Sequence, residues 1–168
     1  MIKKMLLFLT VVMVLALAAI TASASPPEDA GGVWSYLPNL DEFVFYKVAD
    51  GNQFFTFGEQ GDWTGTFDGA SYDYGSGVVH SNGSWLFKGK AIFASVTVDG
   101  RTGSLEMKLN GSRPDGVSNW VGKWVLTGGT LHEAGLRGQG TFDGPGWQGD
   151  PTVWGKIPYA GSVHFESD

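Results

Sequence analysis

The sequence predicts an all-β protein, a single closed antiparallel β-barrel of about eight strands. Three observations point there. Over residues 101–144, strand-like alternation is cut by glycines at short, regular intervals. Glycine occupies 26 of 168 positions, roughly twice ordinary usage, and aromatic residues make up 14%. Beyond the N-terminal segment no stretch sustains a helical period. The glycines sit between apolar strands and not in low-complexity runs, so the composition is that of a folded β protein and not of a disordered one.

At the N-terminus, Lys3 and Lys4 precede an apolar run over 5–20, broken only by Thr10, and Ala22-Ser23-Ala24 forms a small-x-small cleavage site. This pattern predicts a secretion signal over 1–24, with Ser25 as the mature start and an extracellular or periplasmic destination. The apolar run is 16 residues, short of the about 20 that span a bilayer, so removal is expected over retention as an anchor. With 0 cysteines, an exported chain has no disulfides and its core alone must hold the fold. Cleavage would leave 144 residues, one ordinary domain, carrying 9 basic and 17 acidic side chains. Such a surface repels nucleic acid and anionic lipid, because binding there depends on neutralising phosphates. No nucleic-acid partner is expected, and no membrane contact after cleavage. The acids are scattered singly and read as a solubilising surface.

Residues 25–32, with Pro26-Pro27, read as a flexible linker, leaving 33–168 for the barrel. Strand runs follow over 43–48, 54–57 and 63–67. The last alternates, with Trp63, Gly65 and Phe67 on one face. Residues 70–80 extend further, and Gly75 and Gly77 inside them suggest bulges or a bend. Runs over 84–87 and 90–98 are separated by Gly89. Asp99-Gly100 is a two-residue hairpin signal. In 102–110, Leu105, Met107 and Leu109 face one way, and Glu106 with its polar neighbours the other. Pro114-Asp115-Gly116 is a turn, 120–127 alternates, and runs over 136–142, 153–157 and 161–165 close the chain. Short connections imply antiparallel neighbours, closure removes the exposed edges of an open sheet, and a β-sandwich is the alternative. Gly-Thr-Phe-Asp-Gly occurs at 65–69 and again at 140–144. The flanks do not repeat, so each reads as a strand ending in an Asp-Gly turn.

Several short motifs in this region carry a resemblance. They are Gly100-Arg101-Thr102-Gly103-Ser104-Leu105, Gly122-Lys123-Trp124-Val125, Gly128-Gly129-Thr130 and Ala134-Gly135-Leu136-Arg137-Gly138-Gln139-Gly140, with Trp63-Thr64-Gly65-Thr66-Phe67-Asp68-Gly69 upstream. Together they resemble the DUF3224 family of small bacterial proteins of uncharacterised function, which look like relatives of the allene oxide cyclase barrel. The similarity covers roughly 55–144. The family's Gly-Thr-Gly-Glu-Leu run reads Gly129-Thr130-Leu131-His132-Glu133 here, and its usual members look cytoplasmic. The resemblance implies an eight-stranded, allene oxide cyclase-like barrel with a central cavity. It does not imply cyclase activity, because fold alone does not fix function.

Motifs for common chemistries are missing. No nucleophile elbow, phosphate loop or dinucleotide fingerprint occurs. A zinc site would need His80, His132 and His164 from distant strands, and the acidic turns over 143–150 lack calcium-loop spacing. No metal and no cofactor is expected. Asp73, between Tyr72 and Tyr74, points inward if the tyrosines point out, and is the best candidate acid. His80 is the best candidate base. The commoner reading of either is a solvated strand residue. The 7 tryptophans invite a ligand reading. Trp63, Trp85, Trp120 and Trp124 fall on strands and are the candidate ligand-binding residues, each with ordinary core packing as its alternative. Trp147, in a glycine-rich segment, is a candidate recognition tip.

The leading functional expectation is a non-enzymatic protein holding a small apolar or aromatic molecule in the barrel. The alternatives are a cyclase or isomerase using the same cavity, with Asp73 or His80 facing it, and a surface or matrix protein that forms homo-oligomers through its outer face.

Overall fold

The computed structural model of the chain describes residues 26–116, 119–150 and 152–166. The expected signal over 1–24 and the mature start at Ser25 lie outside the described residues. In chain order the strands are β1 (Glu28–Pro38), β2 (Val44–Ala49), β3 (Asn52–Gly65), β4 (Gly69–Val79), β5 (Trp85–Val98), β6 (Arg101–Arg113), β7 (Trp120–Gly128), β8 (Leu136–Gly144) and β9 (Gly155–Phe165). One short helix, α1 (Thr130–Glu133), lies between β7 and β8.

All neighbours are antiparallel, in the order β1-β9-β8-β7-β6-β5-β4-β3-β2, and an additional β1–β3 pairing closes the ring. The result is a closed eight-stranded barrel with β2 outside it. β1 and β2 run in succession along the same edge of β3. β1 takes the stretch from Glu59 to Gly65, and β2 takes the stretch from Asn52 to Thr56. Between them the chain turns over residues 39–43, where the Asn39 N–H donates to the Gly58 carbonyl at 2.9 Å.

Several expected elements merge. The run over 54–57 and the first part of 63–67 belong to one strand, β3, which ends at Gly65 with φ 102°. A Cβ there would meet the Gly31 backbone, so the chain bends at 65 and Phe67 reaches the core from beyond the strand. The runs over 84–87 and 90–98 join as β5, and those over 153–157 and 161–165 contribute to β9. Of the stretch read as a linker, residues 28–32 lie in β1, paired with β9. The Asp99-Gly100 hairpin has φ 49° and 70°, positive at both positions as expected.

Gly75 and Gly77 do not mark bulges: the β3–β4 and β4–β5 registers run through them without a shift. Both face inward, and aromatic rings from β3 lie across them. A Cβ on Gly75 would come within 2.8 Å of Phe57 Cζ, and one on Gly77 would overlap the Phe55 ring. Glycine is used here to seat rings on a flat backbone. The shifts fall elsewhere, between Phe45 and Lys47 on β2, between Phe93 and Val96 on β5 and between Glu106 and Met107 on β6.

The core fills one end of the barrel. Phe67, Phe93, Trp124 and Leu136 are at most 2% exposed. Phe67 meets Trp124 edge-on at 5.3 Å, and Leu131 of α1 is buried in the same cluster. The Tyr159 hydroxyl accepts the Phe67 N–H and donates to the Thr64 carbonyl, both at 3.1 Å, which pins the bend after Gly65. α1 is fixed over this end by a reciprocal pair, Ser104 N–H to Thr130 Oγ1 and Thr130 N–H to Ser104 Oγ, both at 3.0 Å.

Candidate functional site

The other end of the barrel is hollow, for a reason visible in the strand lengths. β9 begins at Gly155, opposite Tyr36 on β1. β3 to β6 continue well past that level, to Asn52, Val79, Trp85 and Arg113. A tall wall therefore faces a short one. The gap is flanked by the turn after β1 and by the loop between β8 and β9.

Inside is a cavity of about 400 Å³, within the range of small-molecule sites. Nine of the 16 residues that line it are aromatic. The tall wall supplies Phe55, Phe57, Trp85 and Phe87, and β7 supplies Trp120. These rings brace one another: Phe55 to Trp85 at 5.5 Å, Phe57 edge-on to Phe87 at 5.7 Å, Phe87 edge-on to Trp120 at 5.3 Å. Phe43, after the β1 turn, stacks on Phe55 at 5.1 Å.

The loop after β8 makes the rim. The Trp147 N–H donates to the Tyr36 hydroxyl at 2.8 Å, which ties the loop to β1. Gly146, at φ 65°, makes the approach: a Cβ would lie 2.7 Å from Trp120 Cδ1. Trp147 is accordingly half-buried on the cavity rim and not an exposed tip.

The floor carries the unusual chemistry. Glu59 on β3 and Asp73 on β4 are directly paired across the strands, so both side chains point inward on neighbouring positions. Asp73 is 0% exposed and Glu59 is 7% exposed. Asp73 is held in a network. Trp34 Nε1–H donates to its Oδ2 at 2.9 Å, the Ser71 hydroxyl donates to its Oδ1 at 2.6 Å, and Trp63 Nε1–H donates to Ser71 Oγ at 3.0 Å. Gly61 makes space for it, since a Cβ there would overlap Ser71 Oγ and sit 2.7 Å from Asp73 Oδ2. Glu59 lies on the cavity wall, and its carboxyl has no hydrogen-bond partner among the described residues.

Burial dominates the electrostatics. Desolvation pushes the Asp73 carboxyl up to about 7, opposed in part by the hydrogen bonds from Ser71 and Trp34. Burial, and then the Asp73 charge, hold Glu59 well above the usual glutamate range. Burial and the Glu59 charge likewise raise Tyr36.

The candidates read from sequence are divided by the structure. Trp85 and Trp120 line the cavity. Trp63 and Trp124, at 0% and 1% exposed, belong to the packed core and are not on the cavity wall. Asp73 points inward as its tyrosine neighbours implied, but it sits behind the cavity surface, and Glu59 is the carboxyl that reaches it. His80 is one residue past β4, beside Asn52 Oδ1 at 3.2 Å, and does not line the cavity. Glu106 is on the outside, paired with Lys90 at 2.9 Å.

Glu59, Tyr36 and Trp34 were not read from the sequence as site residues. The signal for Glu59 was present: Phe55, Phe57, Glu59, Gly61 and Trp63 share one alternating face. It was hidden because Gly58 and Gly61 make the middle of β3 look like a break.

Fold and site together define a closed β-barrel with one filled end and one open, aromatic-walled cavity over a buried carboxyl pair. No family model matches the chain, and no curated protein matches it in sequence.

Proposed function

We propose that this protein binds a small apolar or aromatic molecule in the open half of the barrel, without converting it. The observation that carries this is the cavity itself: about 400 Å³, open at one end and walled mostly by aromatic side chains. Rings that brace one another form a preformed wall, which lowers the ordering cost of binding. Export, expected from residues 1–24, is part of the proposal, since a cysteine-free barrel with a dense core needs no disulfide outside the cell.

The test is titration of the protein with the neutral naphthalene dye N-phenyl-1-naphthylamine, followed by energy transfer from tryptophan. Saturable one-to-one uptake that weakens at least tenfold in Trp120→Ala is the expected result. Absence of saturation in the folded wild-type protein would sink the reading.

A second reading, an isomerase or cyclase, is favoured by Glu59. A buried carboxyl held protonated on a cavity wall can act as a general acid toward a bound molecule. Its candidate residues are Glu59 in contact with the ligand and Asp73 as the positioning residue behind it.

A further inference from the structure

We propose that the cavity takes an organic cation, a protonated or quaternary amine carrying an apolar or aromatic body, with Glu59 as its counter-ion. This rests on the reading of the cavity as a ligand site and names the ligand's class.

The first observation is the imbalance at the floor. Two carboxyls are buried side by side, and the donors there serve only one of them. Trp34 and Ser71 satisfy Asp73, while the Glu59 carboxyl faces the cavity with no hydrogen-bond partner among the described residues. A buried carboxyl with nothing bound to it is costly and is normally paired or hydrogen-bonded. The cavity is the side from which a bound molecule can supply that partner.

The second observation is independent of the first. Aromatic side chains share the cavity lining with Glu59: Trp34 and Tyr36 from β1, Phe57 from β3, Phe87 from β5. A cation above such rings is attracted by their quadrupoles, and more strongly when water is excluded. The protein already uses this contact nearby, where the Arg113 guanidinium lies 6.0 Å from the Trp120 ring centre at the rim.

The charged and titratable groups facing Glu59 are few. They are Asp73 on β4, the Tyr36 hydroxyl on β1, and Arg113 on β6, which acts on Tyr36. The cation among them, Arg113, also lines the cavity and lies over the Trp120 ring. A neutral ligand accepting a hydrogen bond from protonated Glu59 would meet part of the deficit, but it would leave the aromatic cage without a role beyond bulk. A cation uses both features at once.

The two ligand classes predict opposite pH dependence. Binding a cation requires the Glu59 carboxylate, so affinity rises with pH while that group titrates and then levels. Binding a neutral acceptor requires the acid, so affinity falls.

The experiment compares benzyltrimethylammonium with its neutral isostere neopentylbenzene, by tryptophan quenching on the full chain between pH 5 and pH 8.5. At pH 8 the cation is expected to bind at least tenfold tighter than the isostere. Its affinity should rise severalfold across the range, because the quaternary group itself does not titrate. In Glu59→Gln the preference and the pH dependence should both vanish while neopentylbenzene binding persists. Equal or tighter binding of the isostere by wild type, or cation affinity that falls with rising pH, overturns the cation assignment and leaves the cavity reading standing. If neither probe binds, both readings fail. The wild-type pH profile decides the matter even if Glu59→Gln does not fold.

Discussion

The two ends of this barrel are built from the same kinds of residue and do opposite things with them. At the closed end Phe67, Trp124 and Tyr159 interlock, with ring centres 5.3 to 6.3 Å apart, and the bend after Gly65 together with α1 brings side chains in from beyond the strands. At the open end Phe55, Phe57, Trp85, Phe87 and Trp120 brace one another around a space they do not fill. The difference lies in the backbone. One end is folded over and bridged by Asp68 and Thr97; at the other, β3 to β6 outrun β9 and leave a gap. Whether a ring is core or wall is therefore decided by what the chain places opposite it.

The largest effect that would break this comparison is on stability. Phe67→Ala removes a ring that is 0% exposed from a packed core and should cost about 3–5 kcal/mol in urea unfolding. Trp85→Ala removes a half-buried ring from the mouth, where a cavity already exists. It should cost under about 2 kcal/mol, since only part of a large side chain's transfer energy is at stake. Equal costs would mean that the open end is packed in solution.

How much of this was legible follows the same division. Alternation and the Asp99-Gly100 turn gave the antiparallel barrel, because both are local signals. The inward direction of Asp73 was readable from Tyr72 and Tyr74, since side chains alternate along a strand. Three things were not readable. A glycine within a strand reads as a break or bulge, whereas Gly75 and Gly77 are covered by rings from the neighbouring strand, a contact that no local pattern reveals. Residues 28–32 looked like linker because Gly31 and Gly32 carry no apolar signal. The Gly32 position is nonetheless so close to the Thr64 carbonyl on β3 that only glycine fits. Finally, Trp63 could not be told from Trp85, as both sit on alternating strands and differ only in what faces them.

The second effect concerns pH and sets the floor of the cavity against the rest of the molecule. Ordinary surface carboxylates stabilise a fold, if at all, as they ionise. Glu59 and Asp73 do the reverse. Their folded-state pKa values lie above the unfolded ones, so the folded state holds more protons between the two values. Their contribution is complete below about pH 4, falls as pH rises through about 7 for Asp73, and then levels. The Asp73→Asn, Glu59→Gln double variant should therefore gain steadily on wild type as the pH rises from 4 to 8, since a raised folded-state pKa costs stability once the group must ionise. The measurement is the difference between the two thermal melting profiles, in which surface groups cancel. The amide introduced at position 73 can keep the network if the Ser71 hydroxyl accepts from it. A constant difference across the range would show that neither carboxyl is perturbed.

The smallest effect is expected at β2, which lies outside the closed ring and so sharpens the comparison from a third direction. β1 and β3 already complete the barrel, and β2 only extends the edge of β3 beyond them. Val48 is 71% exposed on this strand, beside Phe45 and Tyr46, which are 46% and 58% exposed. Val48→Lys places a charge where a valine side chain meets water. Surface changes of this sort fall within about 0.5 kcal/mol, and dye uptake by the cavity should be unchanged. Sedimentation velocity gives the same experiment a second edge. If the outer face of β2 is free, wild type and variant sediment alike at every concentration. If copies of the chain pair through that face, wild type sediments faster as concentration rises and Val48→Lys does not, because burying an unpaired ammonium would oppose association. The lysine would then mark β2 as part of an interface, with the gap between β2 and β9 still open for the ligand.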